Sequence, residues 1–228
     1  SRIGTTTTPT GTWSNGIANI TTKLSLARTS TPDGPFDNLD IGVAPRDSDG
    51  TAILSTAFDL DADNNSSNER KKLGQTKVRF GRLRLSNAFG PAQGSIGLAI
   101  QAQYWSGNSW VLNSADNSTA LLANAFFLTG GIAATTTASG LTLSNGQGTL
   151  LLTNTGGAGS VDIAVNLGNS GSDQSCLGSH GGTAANRPWL RARNGNCATT
   201  YDRDPSARAT FGIYAPETKR SVHVQELF

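Results

Sequence analysis

Residues Lys77–Trp105 read KVRFGRLRLSNAFGPAQGSIGLAIQAQYW, and their apolar side chains follow two phases. Val78 and Phe80 fall on even positions, Leu83 and Leu85 on odd ones. A strand sends alternate side chains to opposite faces, so an apolar face changes parity only where a residue is inserted. Gly81 stands at the change, and glycine accommodates the backbone of a bulge. That placement puts Lys77, Arg79, Arg82 and Arg84 together on a solvent face. After the turn-rich segment SNAFGPAQG, a second strand carries Ile96, Leu98, Ile100, Ala102 and Tyr104 on one side. The pattern predicts a long, bent antiparallel hairpin as the spine of an all-β domain.

Outward from this spine the same period recurs. Upstream, residues 1–12, SRIGTTTTPTGT, read as a flexible leader or linker. Ile20, Thr22, Leu24 and Leu26 alternate as a strand, TSTPDGP as a loop, and Leu39, Ile41 and Val43 as a strand closed by the turn PRDSDG. Phe58–Arg70 is too polar and acidic to be core. Downstream, Trp110–Asn113 reads as a short strand, and DNSTALLANAFFL, apolar without clear period, as a strand or one helical turn. Residues 130–140 form a loop. Leu141 and Leu143, the turn NGQG, then Leu150 and Leu152 predict a hairpin. Val161, Ile163, Val165 and Leu167 alternate, 168–204 is a long irregular excursion, and Ala209, Phe211 and Ile213 pair across APETKR with Val222 and Val224. With no helical period and no fixed repeat, the expectation over residues 13–228 is a single antiparallel β-sandwich domain, Ig-like or jelly-roll-like, with long loops.

A length of 228 residues admits one large β domain or two small ones. Charged residues make up only 15%, and the chain is instead rich in Gly, Ser, Thr and Asn, as many-turned β proteins are. A net charge of +2 gives no footprint for nucleic acid, so Arg82, Arg84, Arg191 and Arg193 read as solvated side chains. Cys176 and Cys197 lie in the excursion and read as one disulfide closing it, contributing about 3 kcal/mol in an oxidising compartment. Two cysteines alone lack the further ligands of a zinc site. Neither a signal peptide nor a membrane span is present, and no membrane insertion is expected. Without an initiator Met the chain reads as a processed protein or a fragment of a longer one.

The densest constellation of chemistry-bearing residues is Asp59, Asp61 and Asp63, followed by Asn64 and Asn65. Alternate oxygen ligands on a tight loop suit Ca²⁺, which makes Asp59, Asp61, Asp63 and Asn65 candidate calcium ligands. Counted from Asp59, the EF-hand template meets Asn64 instead of Gly and Arg70 instead of Glu, with Glu69 adjacent. The acidic turn Asp47-Ser48-Asp49-Gly50 is a possible second source of ligands, and a solvated Asx-turn is the plainer alternative. His180 and His223 come with no G-x-S-x-G elbow and no H-E-x-x-H motif, and no carboxylate pair is singled out, so no enzyme is expected. Trp105, Trp110 and Trp189 are candidates for stacking on a sugar, although a Trp105–Trp110 pair across the SGNS turn reads first as a brace of its hairpin.

The blocks FDLDAD, LGQTKVRFGRLRLSNAFG, QAQYWSGNSWVLN and DPSARATFGIYAPETKRSVHVQELF follow one another between Asp37 and Phe228. In wording and order they resemble the C-terminal domain of MshQ-type proteins, large secreted proteins encoded with mannose-sensitive haemagglutinin type IV pilus systems. Where such domains often carry Asp-Ser-Cys-Thr after the WVLN strand, this chain has Asp116-Asn117-Ser118-Thr119, which leaves Cys176–Cys197 as the one available bridge. The resemblance implies an exported, extracellular module of a bacterial surface or pilus-associated protein, without catalytic residues. Its partners would be other pilus subunits or upstream domains of the same chain. Two alternatives stand beside it. The strand at Ile20–Leu26, behind a flexible leader, would be donated to a neighbouring copy in a homo-oligomer. Alternatively the domain would bind glycans through its tryptophans with the help of calcium.

Overall fold

The computed structural model describes residues 3–5, 10–15, 17–44 and 54–212. The turn PRDSDG with Asp47 and Asp49, and the C-terminal pairing of Ile213 with Val222 and Val224 together with His223, lie outside the described residues. The chain is all-β, with single 3-10 turns and no α-helix among the described residues. In order, the strands are β1 (Ile3–Thr5), β2 (Trp13–Ser14), β3 (Ile17–Ala18), β4 (Leu24–Leu26), β5 (Phe36–Val43) and β6 (Lys71–Val78). Then come β7 (Gly81–Leu85), β8 (Ala88–Gly90), β9 (Gly94–Trp105), β10 (Trp110–Leu112), β11 (Ala120–Leu121) and β12 (Phe126–Thr129). The last are β13 (Thr136–Ala138), β14 (Leu141–Thr142), β15 (Gln147–Asn154), β16 (Gly159–Val165) and β17 (Ser206–Phe211). Where the sequence pattern predicts a single domain from residue 13, the described residues fall into two compact units: those within 1–31, 81–103 and 112–212 form one, and those within 32–80 and 104–111 the other.

The first unit holds the main core. In it β15 lies between β13 and the part of β9 up to Gln103, with β7 also on β9, and a second sheet runs β12-β16-β17-β8. In the β9–β15 ladder Ile96 stands opposite Leu152 and Leu98 opposite Leu150, with Ile100 two residues on. Period two turns all of these inward, and Leu98, Ile100, Leu150 and Leu152 are fully buried. From the second sheet come Val161, Ile163 and Val165 of β16 and Ala209 and Phe211 of β17, and both sets merge in one buried cluster. Each such side chain contributes roughly 1.5–3 kcal/mol, which is what stabilises the long loops of this unit. The turn Asn145-Gly146 takes left-handed φ at both residues, 50° and 73°, as a two-residue hairpin loop demands.

Three expectations are corrected here. Gly81 is not a bulge within one strand. β6 ends at Val78 and pairs with β5, Val78 opposite Phe36, whereas β7 begins at Gly81 and pairs with β9. The chain changes partner between the two strands, and a change of partner resets the apolar phase without any inserted residue. Secondly, the segment SNAFGPAQG contains β8, which lies parallel to β17 with Ala88 opposite Ala209. Three residues with one inward side chain are too few to show a period. Thirdly, Arg79 and Arg82 do not form an open solvated face. Arg79 pairs with Asp37 at 3.0 Å, and Arg82 is half-buried with its Nε donating to Gln103 Oε1 at 2.8 Å.

At the N-terminal end β4 is shorter than the alternation suggests, and β1 pairs with it antiparallel, Ile3 opposite Leu26 and Thr5 opposite Leu24. This region is tied down further along by Arg28, whose guanidinium donates to the carbonyls of Tyr201 (3.1 Å), Gly81 (2.9 Å) and Arg191 (2.7 Å). The second unit is built on the β5–β6 ladder. It also has an aromatic group of Phe80, Trp105 and Trp110.

Candidate functional site

The loop between β5 and β6 carries the acidic cluster. Leu60 and Arg70 form a bridge that closes residues 61–69. Asp61 organises everything inside it. Its Oδ1 accepts the backbone N–H groups of Asp63 (3.3 Å), Asn64 (2.7 Å) and Asn65 (3.2 Å), and its Oδ2 accepts that of Ser66 (2.8 Å). The chain can coil this tightly because Asn64 and Ser66 take left-handed φ of 62° and 73°. Burial works to raise the Asp61 pKa, but the backbone N–H groups of Ser66, Asn64, Asn65 and Asp63 together outweigh it and hold the carboxyl below its ordinary 3.8.

Asp61, Asp63 and Glu69 bring carboxylate oxygens within 4.8 Å of one another. Glu69 uses Oε2 to accept the Ala62 N–H at 2.9 Å, while its buried Oε1 has no hydrogen bond. Carboxylates gathered this closely repel one another, an electrostatic term unfavourable to the loop. A bound cation would reverse the sign of that term. Asp63 Oδ2 also accepts from Asn65 Nδ2, and Asn65 Oδ1 from the Ser67 N–H. Of the four residues the sequence nominates, Asp61 and Asp63 therefore converge and Asn65 braces them. Asp59 is engaged elsewhere, by Lys71 Nζ and the Lys72 N–H, both at 2.6 Å. Those two contacts, Lys71 first, lower its pKa. Glu69 takes its place. The signal that finds Glu69 is the alternation Asp61, Asp63, Asn65, Ser67, Glu69, visible once counting starts at Asp61.

The tryptophans divide by environment. Trp105 and Trp110 meet edge to face at 5.7 Å, and Trp110 meets Phe80 in the same way at 6.1 Å. Ser106 Oγ donates to the Ser109 carbonyl at 2.9 Å across the turn between them, so both rings are used in bracing that hairpin. Trp189 is 52% exposed, and the Arg187 guanidinium lies 5.5 Å from its ring centroid.

In the excursion after β16, Cys176 and Cys197 form the expected disulfide. His180, which lies in the excursion, stacks on Phe127 with centroids 3.8 Å apart. Its Nδ1 lies 3.5 Å from Oδ1 of the buried Asp173. Sequence reasoning missed the centre of this region. Asp204 is fully buried, and its two oxygens accept four donors: Arg191 Nε (2.8 Å) and the Leu167 N–H (3.1 Å) on one, Arg191 Nη2 (2.9 Å) and the Gln174 N–H (2.7 Å) on the other. No local pattern announces a carboxylate whose partners lie 13 to 37 residues away.

Among the described residues no helix is long and apolar enough to cross a membrane. No curated protein and no solved structure matches the chain. Two family models do: DUF6701, third domain, over residues 1–72, and DUF6701, fourth domain, over residues 79–227. The fourth-domain match alone takes in well over half of the chain, which therefore belongs to the DUF6701 family and carries its third and fourth domains.

Proposed function

We propose that this chain is an exported, non-enzymatic module of a longer bacterial surface protein of the MshQ type, working in a pilus or surface fibre by contact and not by bond-breaking. The Cys176–Cys197 disulfide carries the reading, because such bridges persist in oxidising compartments and are rare where thiols are kept reduced. The order of sequence blocks and the all-β construction with long, tied loops support it. Antibodies raised against residues 1–228 are expected to label intact cells at the surface, and the cellular protein to carry no free thiol in alkylation assays. A protein confined to the cytoplasm with both thiols reduced would overturn the reading.

Convergence of Asp61, Asp63 and Glu69 supports a second, compatible function, calcium binding in the β5–β6 loop. Calcium would be held by these three carboxylates, and it would replace their mutual repulsion with attraction. A ligand present at a tenfold excess over its dissociation constant stabilises the folded state by about 1.4 kcal/mol. Titration up to about 10 mM Ca²⁺, above the ~10⁻³ M limit of extracellular modules, is expected to shift the amide resonances of residues 61–69 and raise the unfolding temperature. Glu69→Gln is expected to remove both effects. Unchanged resonances at saturating calcium would sink this function and leave the surface-module reading intact.

A further inference from the structure

The described residues enclose a concavity of about 270 Å³ in the first unit, between the turn after β11 and the segment 183–187. Its lining is mixed, with apolar Leu122, Ala125 and Ala185 and polar Thr183, Asn186 and Arg187, and the segment 183–187 supplies most of its wall. The wall is fixed in place. The N–H groups of Thr183, Ala185, Asn186 and Arg187 donate to the carbonyls of Asn124, Asn166, Gly168 and Leu167, at 2.8–3.0 Å. The segment therefore arrives with its backbone donors satisfied and its side chains available.

Three features of this concavity are not accounted for by packing. Leu122 at its edge is 65% exposed, and Trp189, whose ring centroid lies 5.5 Å from the Arg187 guanidinium, is 52% exposed. Arg187 spends only Nη1, on the carbonyls of Ala185 (3.4 Å) and Asn186 (3.0 Å). Its Nε–Nη2 edge makes no hydrogen bond, and no carboxylate pairs with it, among the described residues. A guanidinium edge of that kind is the shape that takes a carboxylate through two parallel hydrogen bonds.

We propose that this concavity binds an acidic sugar residue of a glycan, a pyranose ring bearing a carboxylate. The volume lies just below the ~300–1,000 Å³ typical of drug-sized ligands, which suits one ring and not a longer ligand. The C–H face of the ring lies on Leu122 and the alanine methyl groups, its carboxylate meets the free edge of Arg187, and its hydroxyls reach Thr183 and the Asn186 amide. Trp189, held beside Arg187, offers a stacking face to the next sugar. An acidic peptide would share the Arg187 contact but has no ring to cover Leu122 and no use for a hydroxyl-matching rim. This site is independent of the calcium loop and adds a ligand to the surface-module reading.

The test uses the full chain, with D-glucuronate, D-glucose and a blocked Glu-Glu dipeptide as probes, followed by amide chemical shifts. Glucuronate is expected to shift residues 183–187, with glucose at least tenfold weaker. Arg187→Gln is expected to reduce glucuronate to the level of glucose without moving the unfolding temperature. Leu122→Glu, which places a negative charge at the rim on an exposed residue, is expected to abolish binding independently. The proposal fails if glucuronate at about 50 mM, roughly fiftyfold above the dissociation constant of a ~1 mM site, leaves these resonances unmoved. It fails equally if glucose binds as well as glucuronate, or if the dipeptide binds more tightly than the sugar acid.

Discussion

Replacing Arg191 with methionine is expected to cost about 3–5 kcal/mol of stability, because it strands a charge inside the protein. Asp204 has no exposed side-chain surface and Arg191 only 15%. Without the guanidinium the carboxylate keeps the N–H groups of Leu167 and Gln174 and loses half of its donors. For a domain of roughly 150–250 residues each kcal/mol moves the unfolding midpoint by about 2–4 °C, so a fall of roughly 6–20 °C follows. Asp204→Ala is expected to be comparably severe, since it leaves the buried guanidinium and two backbone N–H groups unpaired. The double replacement Arg191→Met with Asp204→Leu separates the cost of breaking the pair from the value of having it. If the pair mainly defines one arrangement of the excursion, the double variant recovers a large part of the loss, because a well-packed apolar pair often equals a buried ion pair. Thermal and urea unfolding of the three variants decides the matter. An Arg191→Met loss under about 1 kcal/mol, the range of exposed pairs, would show that water reaches Asp204.

The role of this pair also explains which parts of the molecule are legible in the sequence. Ile96–Ala102, Leu150–Leu152 and Val161–Val165 show their strands plainly, because one face of each is sealed in the core and period two is imposed on every residue. Partner choice leaves no such mark. Nothing local at Val78 says that β6 pairs back to Phe36 while Gly81 opens a strand against β9, since both strands look alike from within. β8 is legible only from its partner β17. In the acidic loop the chemistry was visible but its register was not: Asp59 and Asp61 are equivalent by spacing, and only the lysines of β6 that capture Asp59 pass the role to the set containing Glu69. Polar anchors such as Asp204 and Arg28 are the least legible, because each acts on backbone groups brought near by the rest of the fold. Their residue types carry no information about where those groups will be.

Removing the disulfide, by Cys176→Ser with Cys197→Ser or by reduction, is expected to cost about 3 kcal/mol, the loop-closure value for a ring of this size, with a sequence separation of 21. Arg191 lies inside that ring and Asp204 just outside it, so the bridge and the ion pair restrain the same segment from two points. If the disulfide acted only on the unfolded chain, its removal would add to that of Arg191→Met, and the two losses would sum. The geometry argues for coupling. With the ring open, the backbone bonds of 183–187 still hold the middle of the excursion, but residues 188–197 must be ordered at full entropic cost by Arg191, by the Arg28 bond to its carbonyl and by the backbone bonds of Ala192 with Arg203. With the pair also lost, residues 188–197 keep few ties and open locally, so the second loss registers less in the stability of the two sheets. The expected coupling energy therefore exceeds about 0.5 kcal/mol, the limit of additivity for independent sites. Hydrogen exchange supplies the second readout. In the cysteine-free protein residues 188–197 are expected to exchange through local opening while β16 and β17 keep the protection of global unfolding. Equal acceleration across β16, β17 and the excursion would show that the bridge stabilises the whole unit as one cooperative body, and strict additivity with Arg191→Met would confirm it.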